Sequence, residues 1–256
     1  MVERFLKSFY VFAVYLLLYV PLLVTIVFSF NDSETAEAWN GFSMRWYGRL
    51  FADKSLIHSA FRSVFLAAAA ATCSTVIGTV IAIALHRYRF IGQKVVYGSL
   101  SVIMLSPEII QGISLLVIFV VLGVPLGFST LLLAHTVFCF PFVTITILAR
   151  LKGVSRDLAE AAADLGASDV DTARFILIPL ITPAVFAGWL MSFTLSVDDV
   201  IVSFFVSGKN YEILPLKIYS MVRTGIQPDV NALCAAMFFI TCFVVIVSYR
   251  LVRSKR

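Results

Sequence analysis

The sequence predicts an all-α integral membrane protein with six transmembrane helices and both termini cytoplasmic. Three observations carry this. First, 60% of the 256 residues are hydrophobic and only 14% are charged, with a mean hydropathy of +0.96. A soluble domain of this size needs far more polar surface. Second, the apolar runs reach about 20 residues without the alternation of a barrel strand, so they are helices. Third, the basic residues gather in the gaps between those runs, as membrane orientation requires. That clustering accounts for the net charge of +5 without nucleic acid. Cys73, Cys139, Cys234 and Cys242 all fall in apolar runs, with no Cys-x2-Cys spacing. They read as small hydrophobes, not as a disulfide framework or metal site. His58, His86 and His135 are scattered and form no ligand cluster.

The spans are expected near Ser8–Phe30, Ser63–Leu85, Val95–Leu122, Gly123–Leu148, Ile181–Val206 and Val230–Tyr249. The first follows Arg4 and Lys7, is too long for a signal-peptide core, and lacks a small-x-small cleavage site, so it reads as an uncleaved anchor. With the N-terminus inside, 13 of the 20 basic residues lie on the cytoplasmic side and seven outside. The outer loops are also longer, which sharpens the contrast. Residues 31–60 form an outer segment in which Trp46 and Tyr47 suit an interfacial position, and Tyr211–Met221 reads as a short outer helix. There are no repeats and no soluble domain. The chain reads as one membrane domain, 1–256, with a cytoplasmic loop at 150–180.

That loop is polar and Ala-rich between two apolar runs, so it stands in water and can meet a soluble partner. It reads as two short helices. Ser155 suits the first cap, with Asp157 in the opening turn. Gly166 suits the stop, because glycine accepts the left-handed conformation at a helix end. Ser168 and Asp171 form a capping-box-like pair for the second helix. Ala161, Ala162 and Ala163 offer a low surface for close approach, and Glu160 an acceptor. Pro179 and Pro183 mark entry into the fifth span. Glu160-Ala161-Ala162, then Gly166, Ile176 and Pro179, fit the spacing E-A-A-x3-G-x9-I-x-[IL]-P. The spacing resembles the signature loop of type I ABC importer permeases, with Ile178 in place of the usual leucine. The resemblance implies the MetI-like fold and a separate ATPase that receives this loop. The chain has no GxxxxGK[ST] phosphate loop, so ATP and its Mg are expected on the partner, with no cofactor in this chain.

The few charges within the spans are informative. Glu108 lies in the third span, and Asp198 and Asp199 late in the fifth. Taken along straight helices, Glu108 stands roughly 20 Å and Asp198 roughly 25 Å from the inner face. Each is costly in lipid and a functional candidate by default. No lysine or arginine lies deep in a span to offset them. Carboxylates separated by apolar and aromatic surface suit a cation whose ammonium groups alternate with methylenes, a polyamine. Trp46, Tyr211 and Tyr219, with Trp189, could add cation–π attraction, although each suits packing as well. Successive helical positions differ by about 100°, so Asp198 and Asp199 point differently. Asp199 continues a stripe with Ser192, Ser196 and Ser203, while Asp198 stacks with Thr194. One stripe is expected to line the pathway and the other to meet a neighbouring helix.

Leu105-Ser-Pro-Glu-Ile-Ile, Ser192-Phe-Thr-Leu-Ser-Val-Asp-Asp-Val and Tyr211-Glu-Ile-Leu-Pro-Leu-Lys-Ile-Tyr-Ser-Met resemble the spermidine/putrescine branch of that permease family over nearly the whole chain. This implies a second, homologous permease subunit, two copies of an ABC ATPase, and a periplasmic or extracellular polyamine-binding protein. The setting is the lipid of a bacterial inner membrane, and no nucleic acid is involved. A permease for another cationic or zwitterionic solute, or a secondary cation transporter, could use the same carboxylates. The second of these leaves the cytoplasmic loop without a purpose. A membrane enzyme lacks any nucleophile–base pair or cofactor fingerprint here.

Overall fold

The computed structural model describes residues 2–33, 38–154, 162, 164–168, 171–209, 211–224, 229–239 and 242, with side chains from residue 6. Among them the regular structure is helical, apart from an isolated bridge between Asn31 and Phe42. In order these are α1 (Val2–Phe28), α2 (Arg45–Ala52), α3 (Lys54–Arg87), α4 (Gln93–Leu105), α5 (Glu108–Val121) and α6 (Phe128–Leu151). A π-helical stretch Thr172–Leu177 then leads into α7 (Ile178–Asp198), followed by α8 (Ile201–Val206), α9 (Leu214–Thr224) and α10 (Asp229–Phe239). Among the described residues, four helices are long and apolar enough to cross a membrane: Leu6–Phe28, Lys54–Arg87, Phe128–Leu151 and Thr172–Asp198. Counting the bent pair α4–α5 as one span makes five.

The structure corrects the expected spans in three places. The third is not one helix through Val95–Leu122. It bends by 109° between α4 and α5, so the straight-helix depth assigned to Glu108 does not hold. Pro107 is the cause. It has no N–H to give the Ile103 carbonyl four residues back. The Gln111 amide supplies the missing donor, reaching Ile103 O at 2.8 Å and Ser106 O at 3.0 Å. The fourth span begins later than Gly123, because Gly123 (φ +66°) and the following residues turn the chain before α6. The fifth is shifted as well. Its helix starts at Thr172, ahead of Pro179 and Pro183, and ends at Asp198, with α8 a separate piece. Pro179 removes the bond to Phe175 O, and the π-helical stretch sits at that loosened part of the ladder. Of the sixth span, Val230–Phe239 and Cys242 are described.

The chain divides into two compact units, residues 1–58 with 217–256 and residues 59–216. In the first, α1 buries none of its described side chains from Leu6 to Phe28. Asn31 organises the segment after it: its side chain donates to Ala38 O and accepts from Asn40 N at 2.7 and 2.8 Å. Trp46 of α2 closes on this loop by donating Nε1–H to Asn31 O at 2.7 Å.

In the second unit, besides Leu66 and Leu85, the buried face of α3 is made of small residues and its exposed face is bulky. Ser63, Ala67, Ala70, Ala71 and Ser74 are buried, while Phe65, Val76 and Val80 are exposed. Small faces let membrane helices approach closely. The central helix is α6, buried along most of its length. Its C-terminal end carries Val143, Ile147, Leu148 and Leu151 into an apolar cluster with Leu85, Leu100, Leu177 and Ile181. Its other end carries Leu131 and Ala134 into a second cluster with Leu66, Phe119, Val202 and Val206.

Candidate functional site

Two candidate sites were expected, and the structure describes them unequally. At the loop of residues 150–180, Glu160, Ala161 and Ala163 lie outside the described residues, as do Ser155 and Asp157. Ala162 is buried, at 6% exposure, so its methyl packs within this chain instead of offering the low surface expected of it. The glycine stop is present: Gly166 has φ +82°, and Ala167 N donates to Ala162 O at 3.0 Å. This is the six-to-one bond of a Schellman cap, with Gly166 at its left-handed position. The next cap is present as well. Ser168 Oγ accepts from Asp171 N at 3.2 Å, and Asp171 Oδ2 accepts from Ser168 N at 3.3 Å. The second short helix does not stop before the membrane but runs on through the π-helical stretch into α7. Around the caps, Leu165 and Phe175 are exposed at 89% and 67%. Gly166 and Pro179 are exposed and Ile176 half-buried.

The three acidic residues part company. Glu108 and Asp198 are exposed, whereas Asp199 is buried at 6%. Glu108 opens α5, and Asp198 is the last residue of α7. A β-carbon on Gly112 would lie 3.3 Å from Val202 Cα. That close approach of α5 to α8 lies four residues beyond each acid along its own strand of chain. Both acids are exposed.

Asp199 turns inward as the cap of α8. Its Oδ1 accepts from Val202 N at 3.2 Å, and its Oδ2 accepts from Ser203 N and Ser203 Oγ, both at 2.7 Å. His135 of α6 stands beside it, with Nε2 3.5 Å from Asp199 Oδ2. The expectation that all three carboxylates lack internal partners is therefore corrected for Asp199. The expected stripe is corrected in part. Ser192, Ser196, Asp199 and Ser203 are all buried, but they belong to two helices with a break between them. The stripe faces α6: Cys139 Sγ is 3.6 Å from Ser192 O, and the imidazole touches Ser196 and Ser203. Asp198 and Thr194 form the exposed stripe. The scatter of histidines in sequence concealed this contact. The available signal was a histidine in a span, which implies a partner on a facing helix.

The aromatic candidates are largely engaged by the chain itself. Trp46 is 3% exposed, with the guanidinium of Arg45 4.4 Å and that of Arg49 4.9 Å from its ring centre. Tyr211 lies under Arg62 at 5.0 Å and against Phe128 at 5.4 Å. Burial pushes its phenol above the ordinary range, with Arg62 opposing. Trp189 stacks on Phe193 and donates Nε1–H to Thr72 Oγ1 at 3.2 Å. Tyr219, in the first unit, is exposed.

Comparison with known proteins gives one consistent result. The chain is 49% identical over 251 residues to the spermidine/putrescine transport system permease protein PotC of Haemophilus influenzae, covering 98% of each. It is 49% identical over 255 residues to PotC of Escherichia coli K12, covering 100% of this chain and 97% of the relative. The E. coli putrescine transport system permease protein PotI is 39% identical over 223 residues, covering 84% and 79%. Among solved structures, a bacterial ABC transporter for the acidic polysaccharide alginate aligns with a TM-score of 0.73 at 17% identity, over 99% of this chain and 96% of that one. An inward-facing MetNI methionine ABC transporter aligns with a TM-score of 0.64 at 18% identity, over 78% and 95%. These two share the fold. Residues 74–255 match the model of the binding-protein-dependent transport system inner membrane component, and the chain belongs to that family.

Proposed function

We infer that this chain is a permease subunit of an ATP-driven importer that moves polyamines, spermidine or putrescine, into the cytoplasm. The observation that carries the reading is the likeness to polyamine permeases over the whole chain. The capped loop of residues 162–171 supports it, because a left-handed glycine stop followed by a Ser168–Asp171 cap builds a fixed, water-facing elbow. In this reading the elbow is the ATPase contact, through Glu160, Ala161, Gly166, Ile176 and Pro179, with Ala162 packed behind that surface. Exposed Leu165 and Phe175 give it an apolar surface to bury. The chain crosses the membrane six times, with both termini cytoplasmic. It works with a second homologous permease, two ATPase copies that hold ATP and Mg, and an external polyamine-binding protein. It carries no cofactor and catalyses no reaction itself.

The ammonium groups meet Glu108 and Asp198, which face outward near the same helix contact. Asp199 serves the pathway through its hold on α8, and Tyr219 is the exposed aromatic of the set. Trp46 and Tyr211 act by shaping outer segments, since their own arginines cover them. Uptake of labelled spermidine and putrescine by the complete importer, normalised to assembled complex, is the test. Glu108→Gln and Asp198→Asn keep shape and remove charge, so each is expected to lower uptake with assembly intact. Parental rates in both variants would remove the cation-pathway assignment. Glu160→Lys and Gly166→Asp are expected to insert normally but to lose ATPase association. Normal pull-down of the ATPase by both would remove the coupling assignment.

A further inference from the structure

The buried side of the α7–α8 break holds an arrangement that neither packing nor capping demands. Asp199 alone satisfies the first free amides of α8, those of Val202 and Ser203. The far end of α8 is fastened separately, by Thr130 Oγ1 donating to Val206 O at 2.8 Å. Yet α6 also sends an ionisable side chain into this place. His135 is fully buried, and both ring nitrogens are used. Nδ1 lies 2.6 Å from Ser196 Oγ, in the last turn of α7. Nε2 lies 2.9 Å from Ser203 Oγ, in the first turn of α8. One imidazole therefore grips both sides of the break.

For a neutral imidazole beside an ionised Asp199, a proton count fixes the sense of the chain. Ser203 Oγ gives its hydrogen to Asp199 Oδ2, so Nε2–H donates to Ser203 Oγ. Nδ1 then accepts from Ser196 Oγ–H, and every donor is used once. The grip has a consequence on the opposite face. Ser196 and Asp198 are two residues apart on one helix, and so point about 200° away from each other. Holding Ser196 against α6 turns Asp198 out of the packing, where it is exposed. We propose that His135 is a positioning residue for transport: by bridging Ser196 and Ser203 across the break, it fixes the outward aim of Asp198 at the passing cation. This rests on the reading that Asp198 meets the substrate.

The test uses the complete importer in vesicles, with labelled spermidine and putrescine and uptake per assembled complex. Four proteins are compared: parental, His135→Ala, Asp198→Asn and the double variant. Each single variant is expected to lower uptake roughly tenfold, the scale set by one lost interaction with a charged group. The double variant is expected to be no worse than Asp198→Asn alone, because His135 acts through that carboxylate. A histidine that only supports packing would lower complex yield, and its effect would multiply with that of Asp198→Asn. Should His135→Ala fail to assemble, His135→Asn and Ser196→Ala take its place in the same comparison, since each removes one arm of the grip. Parental uptake in the His135 variants, or a multiplied loss in the double variant, overturns the positioning role and leaves Asp198 in the pathway. Parental uptake by Asp198→Asn overturns the pathway reading itself, and the positioning role with it.

Discussion

At the scale of residues, a few side chains make an irregular backbone tolerable in lipid. Ile103 O and Ser106 O would have no donor at the Pro107 break without Gln111, and water is not there to help. An unsatisfied buried carbonyl costs about 1–3 kcal/mol. Gln111→Leu is expected to lower the thermal midpoint of the purified subunit in detergent, whereas Ser101→Ala, which removes a bond from an exposed hydroxyl to the Tyr97 carbonyl one turn back, should move it little. Equal midpoints would show that the break holds without the amide. At the start of α10, one carboxylate oxygen of Asp229 is buried without a hydrogen-bond partner. Burial pushes its carboxyl above the ordinary value of 3.8, with Arg49 opposing, Asp53 adding and Arg45 opposing. The unfolded chain then loses this proton at lower pH than the folded chain does. Asp229 therefore costs stability as pH rises through its raised value, and costs nothing well below 3.8. Asp229→Asn should stabilise the protein at neutral pH, with the gain vanishing in acid. A loss of stability at neutral pH would contradict this.

At the scale of elements, close helix approach does what large side chains do in a soluble core. Gly78 of α3 and Gly188 of α7 both meet Val143 of α6. A β-carbon at 188 would lie 3.0 Å from Val143 Cγ1, with its Cα and Cβ at 3.5 and 3.6 Å. One at 78 would lie 2.9 Å from both Val143 Cβ and Cγ1, and 3.1 Å from Phe140 O. The two sites should therefore answer differently to relief. Val143→Ala removes Cγ1 and should restore the folded yield of Gly188→Ala. It should not restore Gly78→Ala, because the β-carbon and the backbone oxygen remain in the way. Yield of monodisperse protein for the four variants checks this, and equal rescue at both positions would mean that the helices shift instead. The same closeness explains the α5–α8 contact. A β-carbon at Gly112 would come within 2.6 Å of the Phe205 ring, so glycine is what lets α5 and α8 lie this close.

At the scale of the whole molecule, orientation is a property of charge distribution. The bias of 13 basic residues to seven is expected to place both termini in the cytoplasm. A protease added outside intact cells should leave tags at either end uncut and should cleave them once the membrane is opened. Cleavage of the C-terminal tag from outside would refute the six-crossing topology. The orientation also puts residues 150–180 on the side where ATP is available, which the importer reading requires.

Much of this was legible in the sequence because it depends on composition and local chemistry. Apolar length marks a span, and basic flanks orient it. Gly166, Ser168 and Asp171 announce their caps because a left-handed turn and free amides are needs of the nearest few residues. The family follows from a spaced motif in one such segment. What the chain alone did not disclose depends on partners distant in sequence. Periodicity carried the third span through Pro107, since nothing local shows that Gln111 would replace the lost donor at a sharp bend. Composition left His135 isolated, because the serines it grips lie 61 and 68 residues away. Asp198 and Asp199 are neighbours with the same charge, and only tertiary packing gave them opposite parts. The donors to Asp199 are local, Val202 N and Ser203 N and Oγ, but packing of the helix break against α6 at His135 buries Asp199 and leaves Asp198 to the open side.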